Sequence, residues 1–196
     1  MKIYNEASMQ LQLGVILRQL GTLYAFEEKD NFRIELEKTI PLQSPTAKSQ
    51  HGTARCDIWL ELGNGRHNAS AAIELKYFKS SQHTEATTDN RFSLLLDIAN
   101  LECYAKQESN LLGFAIVYTN NENYTKDGHK TKATIKLAPY VTQSIKRELT
   151  KNGKQEKVEV DLQHQYEANW VKFSPTSNKD IGHYFLIINL EKYRKE

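Results

Sequence analysis

Two acidic residues and a lysine lie at a spacing that could support metal-dependent chemistry. Asp57 precedes Glu74 and Lys76, which are two residues apart. Residues two apart in a β-strand project from the same face, so Glu74 and Lys76 are expected side by side. Carboxylate oxygens suit Mg²⁺ or Mn²⁺, and an adjacent ammonium group can orient a water or stabilise a phosphate. The three residues predict metal-assisted hydrolysis of a phosphodiester bond.

The segments around these residues read as a β-hairpin. Strands are predicted over residues 54–62 and 71–78, with turn-forming residues between them. If the hairpin is symmetric about Gly65-Arg66, Asp57 faces Glu74 with roughly 5 Å between their Cβ atoms. Two opposed carboxylates repel each other, and a divalent cation between them removes that cost.

The sequence on either side of these charges is apolar. Glu74 follows Ala71-Ala72-Ile73, Tyr77-Phe78 comes after Lys76, and Asp57 precedes Ile58-Trp59-Leu60. A glutamate two residues before a lysine is more often a solvated surface pair than a site. Charges within apolar strands are costly unless they are paired or bind a metal, which favours the functional interpretation.

The remaining elements would support this hairpin in an α/β domain. A helix is predicted over the first 20 residues, with Asn5 as N-cap and Gly21 at its end. Further elements are a strand at Phe32–Ile40, a helix at about Arg91–Lys106 after the capping cluster Thr87–Asn90, and a buried strand at Leu111–Tyr118. The predicted order is αβββαβ, a mixed central sheet flanked by helices.

Asp57, a gap of 16 residues and then Glu74-Leu75-Lys76, with a helix before and after, resemble the PD-(D/E)xK nuclease superfamily. The resemblance covers roughly residues 1–118 and implies the restriction-endonuclease-like fold. It implies that Asp57, Glu74 and the Leu75 carbonyl bind Mg²⁺ or Mn²⁺ and that Lys76 is catalytic. The sequence departs from the motif before the aspartate, where Arg55-Cys56 replaces the proline.

The same resemblance gives the first helix a role. Such proteins often contribute an acidic residue from this helix, and Glu6 is the best match, with Gln10 one turn on in a supporting place. Asn5-Glu6-Ala7-Ser8 is similar to the opening of small uncharacterised bacterial members. The other interpretation of Glu6 is a carboxylate that complements the helix dipole. Asp97, on a polar stripe of the second helix, is interpreted as a surface residue, and the alternative is a supporting role near the site, because this helix should cover the sheet.

Residues 120–182 form a variable, basic segment of the single domain 1–196. Val141, Ile145 and Leu149 predict a short helix ended by Asn152-Gly153, followed by strands near residues 158–162, 169–173 and 184–190. The basic residues could hold phosphates or form a solvated surface. They are Lys126, His129, Lys130, Lys132, Lys136, Lys146, Arg147, Lys151, Lys154 and Lys157.

Composition fits one globular domain. The 196 residues are 39% hydrophobic and 26% charged, and the net charge of +2 is too small to indicate nucleic-acid binding by itself. Cys56 and Cys103 form no CxxC pair, so a zinc site or disulfide framework is not expected. With no signal peptide and no membrane span in the sequence, we expect a cytoplasmic protein with no membrane partner.

The leading hypothesis is a Mg²⁺-dependent DNA endonuclease, with RNA left open as a substrate. A homodimer is possible, because cutting both strands needs two sites. The alternative is a catalytically inactive nuclease-fold protein that binds nucleic acid or a partner protein. A glycoside hydrolase that uses Asp57 and Glu74 as its carboxylate pair would leave Lys76 without a role.

Overall fold

The computed structural model describes residues 3–49, 52–64, 68–79, 84–126, 135–151, 154–173 and 182–191. Its first half follows the predicted αβββαβ order. The elements are helix α1 (Glu6–Leu23), strands β1 (Asn31–Pro41), β2 (Thr53–Gly63) and β3 (Asn68–Phe78), helix α2 (Thr84–Gln107) and strand β4 (Leu111–Thr119).

Helix α1 begins where the sequence predicts. The Asn5 side chain accepts a hydrogen bond from the Ser8 backbone N–H, and the Ser8 hydroxyl accepts one from the Asn5 backbone N–H. This reciprocal capping box satisfies two donors that the first turn would leave unpaired. The helix passes the predicted stop at Gly21 and ends at Leu23.

One mixed sheet of six strands organises the chain. The last two strands are β7 (Val171–Phe173) and β8 (His183–Asn189), and the spatial order is β1-β2-β3-β4-β8-β7. Strands β3 and β4 run parallel, while the other neighbouring pairs are antiparallel. The parallel pair requires a crossover, and α2 supplies it. The α/β class with a mixed central sheet is therefore confirmed.

The two helices lie on opposite faces of the sheet. The larger core lies under α2, where buried residues of the helix, including Leu95, Ile98 and Leu101, pack against the sheet. The smaller core lies under α1 and includes Met9, Ile58 and Leu75. Strands β2 and β3 are covered on both faces, which explains their nearly continuous apolar sequences.

Two predictions about elements are wrong. Residues predicted as a helix after Val141 form strand β5 (Ser144–Lys151). Among the described strands, β5 pairs with β6 (Lys154–Asp161) alone, in a separate hairpin. A spacing of four residues fits a strand as well as a helix, because it is two full strand periods. Helix α2 begins at Thr84 rather than Arg91, so the supposed capping cluster Thr87–Asn90 lies within it.

No helix in the described ranges is long and apolar enough to cross a membrane.

Candidate metal centre

The predicted hairpin register is the one observed. Leu62 pairs with Ala69 and Ile58 with Ile73, as symmetry about residues 65 and 66 requires, although residues 65–67 lie outside the described ranges. The pairing stops just before Asp57 and Glu74. There the Leu75 N–H donates to Asp57 Oδ2 at 2.6 Å. The carboxylate thus takes the place of a strand partner at the point where β2 and β3 separate.

Strand β1, which neighbours Asp57 on the other side of β2, is irregular at the same level. Leu36 pairs with Ile58 and Lys38 with Cys56, but Glu37 between them has a φ of 56° and does not pair with Asp57. A positive φ is costly for a residue with a side chain and tends to mark functional sites. It frees the Asp57 carbonyl oxygen, which accepts a hydrogen bond from another element.

Gln10 of α1 supplies that bond. Its Nε2 donates to the Asp57 carbonyl at 2.7 Å and to Glu37 Oε1 at 2.8 Å. The predicted supporting residue therefore holds the backbone of the aspartate on which the site depends. It also connects α1 to the distorted part of β1.

Burial makes the negative charge costly at both predicted ligands. Burial raises the pKa of Asp57 to about 6, against the lowering effects of the Leu75 N–H and the Lys76 ammonium. Glu74 is only 1% exposed, and burial together with the Asp97 carboxylate raises its pKa well above the ordinary value. Carboxylates held at this cost are a common feature of functional sites.

Asp97 corrects the sequence interpretation. It is fully buried in α2, as is Asn100 on the same stripe, so neither is a surface residue. Asp97 Oδ2 lies 2.8 Å from Lys76 Nζ, and its Oδ1 forms a short ion pair with Lys48 Nζ. The polar stripe faces inward, toward Lys76 of β3 and toward Thr46 and Lys48 of the loop between β1 and β2.

Lys48 is the residue that sequence reasoning missed. It lies in the loop between β1 and β2, and its Nζ is 3.7 Å from Glu74 Oε2 in addition to its pair with Asp97. Burial opposes its charge, but Asp97 and Glu74 outweigh that effect and raise its pKa. A lysine in a polar loop with two prolines carries no signal that would place it in a site.

Lys76 is held from three sides. Besides Asp97, its ammonium contacts the Leu75 carbonyl at 3.1 Å and Glu6 Oε1 at 3.5 Å. Burial opposes its charge, but Asp97 and Glu6 outweigh burial and raise its pKa. Lys76 is therefore a stable cation, suited to orienting a water or a phosphate rather than to removing a proton.

Glu6, in the first turn of α1, completes a cluster of six charged residues. They are Asp57, Glu74, Asp97, Lys48, Lys76 and Glu6. Besides its contact with Lys76, Glu6 accepts at Oε2 a hydrogen bond from the Tyr77 N–H at 3.4 Å. Its side chain is 44% exposed, so it forms the solvent side of the cluster. The structure thus brings together all four of the predicted catalytic residues, Asp57, Glu74, Lys76 and Glu6.

The net negative charge of the cluster favours the binding of a divalent cation. Four carboxylates and two ammonium groups meet here, which gives a net charge of −2 when all are ionised. Glu74 Oε2 is buried and has no hydrogen-bond partner among the residues described. Hard oxygen donors and this unbalanced charge fit Mg²⁺ or Mn²⁺.

The ligand geometry itself is not preassembled. Within the described ranges, no three His, Cys, Asp or Glu residues are grouped so that they could hold a metal ion. Asp57 Oδ2 is bound by the Leu75 N–H, and the Leu75 carbonyl accepts from Lys76. The role of Leu75 as a ligand therefore stays a prediction.

The described part of the basic segment shows paired charges. Lys126 pairs with Glu122 at 2.9 Å, and Lys146 pairs with Glu159 at 2.9 Å. Arg147 forms a short ion pair with Asp89. His129, Lys130 and Lys132 lie outside the described residues, as do the side chains of Lys151 and Lys154. Where it is visible, the segment has less unbalanced positive charge than its sequence indicates.

No protein-family model matches this chain, and comparisons with curated proteins and with solved structures find no match.

Proposed function

We propose that this protein is a metal-dependent nuclease of the PD-(D/E)xK type that hydrolyses phosphodiester bonds in DNA. The observation that carries the proposal is that Asp57, Lys76 and the buried carboxylates of Glu74 and Asp97 lie together at the point where β2 and β3 separate. This arrangement combines costly carboxylates with a fixed cation. The αβββαβ order, with β3 parallel to β4, supports the restriction-endonuclease-like fold.

Each residue has a role that follows from its contacts. Asp57 and Glu74 would hold Mg²⁺, which when bound polarises a phosphoryl oxygen and lowers the pKa of a bound water. Lys76 is fixed by Asp97, and its charge acts on both Asp57 and Glu74, so it would orient the water. Glu6 fixes Lys76 from the solvent side, and Gln10 fixes the Asp57 backbone.

One set of contacts favours the alternative, a nuclease fold that binds nucleic acid or a partner protein without cutting. Lys48 and Lys76 already neutralise part of the buried negative charge, so the cluster has internal counterions. An inactive scaffold would keep such ion pairs for stability alone. Metal-dependent cleavage separates the two proposals.

Cleavage of supercoiled plasmid and linear DNA with Mg²⁺ or Mn²⁺ is the direct test. We expect wild type to cut and Lys76→Met to lose about 100- to 1,000-fold in rate, the usual cost of removing a group that stabilises developing charge. Asp57→Asn should lose at least as much. Lys146→Met is the matched control, because Lys146 is exposed and pairs with Glu159 on the separate hairpin.

Equal cleavage by wild type, Asp57→Asn and Lys76→Met would rule out this site as the source of activity. DNA binding by a wild type that does not cut with either metal would favour the inactive scaffold. RNA of the same sequence, assayed in parallel, decides between the two nucleic acids. Sedimentation of the active protein tests for the homodimer that double-strand cutting requires.

A further inference from the structure

The loop that carries Lys48 is fixed before any ligand arrives. Thr46 and Ser49 exchange backbone hydrogen bonds, at 3.3 and 3.1 Å, and form a tight turn around Lys48. The Thr46 hydroxyl donates to Asn100 Oδ1 at 2.5 Å, and the Gln43 N–H donates to Gln107 Oε1 at 2.8 Å. The loop is therefore tied to α2, and the position of Lys48 is set by the fold.

The two lysines of the site differ in how many contacts they have. An ammonium group has three N–H donors, and Lys76 meets three oxygens, which belong to Asp97, Leu75 and Glu6. Lys48 forms one short ion pair, with Asp97, and its 3.7 Å separation from Glu74 is too long for a hydrogen bond. Among the described residues, Lys48 has no third oxygen.

The exposure of the two side chains differs in the same direction. Lys48 is 37% exposed and Lys76 is 14% exposed. Lys48 can therefore meet a group that arrives from solvent while its pair with Asp97 stays in place. A cation bound by Glu74 would also weaken the attraction between Glu74 and Lys48, which leaves Lys48 more available to an anion.

We infer that Lys48 is a second substrate-contacting residue of this site, which binds a phosphate of the DNA backbone while Lys76 stays fixed beside the metal ligands. This inference rests on the proposed nuclease function. It assigns to the loop between β1 and β2 a direct part in holding the substrate. Lys48 supplies a point charge, so it should contribute affinity without sequence preference.

The test measures how the DNA affinity of the full chain depends on salt. Binding of a fluorescein-labelled DNA duplex is followed by anisotropy in Ca²⁺, which takes the same oxygen ligands as Mg²⁺ and is a weaker Lewis acid. Each phosphate contact contributes about 0.9 to the slope of log affinity against log salt. Lys48→Met should reduce the slope by about that amount, and Lys48→Arg should keep it.

Two further variants make the result specific. Lys29→Met is the matched control, because Lys29 lies two residues before Asn31, at the end of β1 and β2 that is far from the Lys48 loop. The salt slope of Lys29→Met should equal that of wild type. Lys48→Gln can still donate a hydrogen bond to Asp97 but lacks the charge. Its salt slope should therefore fall by the same amount as that of Lys48→Met. With Mg²⁺ and DNA kept well below its dissociation constant, both uncharged variants should cut more slowly in proportion to their weaker binding, because Lys48 holds the substrate and the transition state alike.

The wild-type protein could bind and cut DNA while both uncharged variants keep its salt slope. That result would overturn the role of Lys48 and leave the nuclease proposal standing. Loss of thermal stability without a change in slope has the same meaning, because it shows a purely structural lysine. A wild type that neither binds nor cuts DNA would overturn both proposals.

Discussion

The cluster under α2 and the β5–β6 hairpin use charged residues in opposite ways. In the cluster, Glu74 and Asp97 are 1% and 0% exposed, and the strand around Glu74 is apolar. In the hairpin, Lys146 and Glu159 pair across two strands while their side chains stay 75% and 53% exposed. Charged pairs occur in both regions, but of the two only the cluster contains carboxylates that are removed from water.

This difference shows where charge indicates function. Exposed ion pairs add about 0–1 kcal/mol and need no further explanation. Buried carboxylates cost several kcal/mol each unless partners compensate, so their presence beneath α2 calls for a reason. The counterions here balance only part of the charge, and a divalent cation would balance the rest.

The largest expected effect on stability comes from Asp97→Ala. This change leaves Lys76, which is 14% exposed, without its closest counterion. Breaking a buried ion pair costs on the order of 3 kcal/mol, and urea unfolding at pH 7 should show that loss. Glu159→Ala is the control in the hairpin and should cost less than about 1 kcal/mol. Equal losses of unfolding free energy in the two variants would contradict the difference between the buried pairs of the cluster and the exposed pairs of the hairpin.

A smaller effect of opposite sign is expected for Asp57→Asn. The pKa of Asp57 is raised to about 6, so ionisation destabilises the folded protein. That cost is absent below the unfolded pKa near 4 and complete above pH 6. Asp57→Asn should therefore stabilise the protein by about 1–3 kcal/mol at pH 8, and the gain should vanish as the pH falls to 4.

Glu61 on the same strand is the control for this pH dependence. Its hydrogen bond with Lys38 lowers its pKa, so ionisation of Glu61 stabilises the fold. Glu61→Gln should then cost a little stability at pH 8, and that cost should shrink as the pH falls. If both variants lose stability at pH 8, the ionised carboxylate of Asp57 does not destabilise the folded protein.

The smallest expected effect comes from Gln10→Ala. The change removes the hydrogen bonds to the Asp57 carbonyl and to Glu37, and it should cost about 1 kcal/mol. Because the Asp57 backbone loosens, cleavage should also fall severalfold. Gln19→Ala is the control, since the Gln19 side chain is exposed on the same helix. A matching loss of cleavage in both variants would remove Gln10 from the site.

The sequence predicts those parts of the fold whose periodicity admits one interpretation. Alternation predicts β1, and the turn residues between β2 and β3 predict the pairing of Ile58 with Ile73, a register that brings Asp57 toward Glu74. Asn5 marks the start of α1 because its side chain can cap the helix. In each case a local rule and the tertiary packing agree.

The errors arise where tertiary contacts decide. Ile145 and Leu149 fit a helix, but the Ile145 position lies opposite Val160 in a hairpin, and the strand prevails. Asp97 looks solvated on a helical stripe, yet it is buried and contacts Lys76 of β3 and Lys48 of the loop between β1 and β2. Lys48 could not be found, because no local pattern shows which buried carboxylates a loop lysine will meet.

Calorimetric titration of the metal-free protein with Mn²⁺ shows whether Glu74 is a metal ligand. We expect one site per chain that is lost in Glu74→Gln, because the buried carboxylate supplies the ligand oxygen and the amide removes its charge. Glu159→Gln, which changes an exposed carboxylate of the hairpin, should bind Mn²⁺ as wild type does. Equal binding by wild type and Glu74→Gln, or no binding by wild type, would contradict the account.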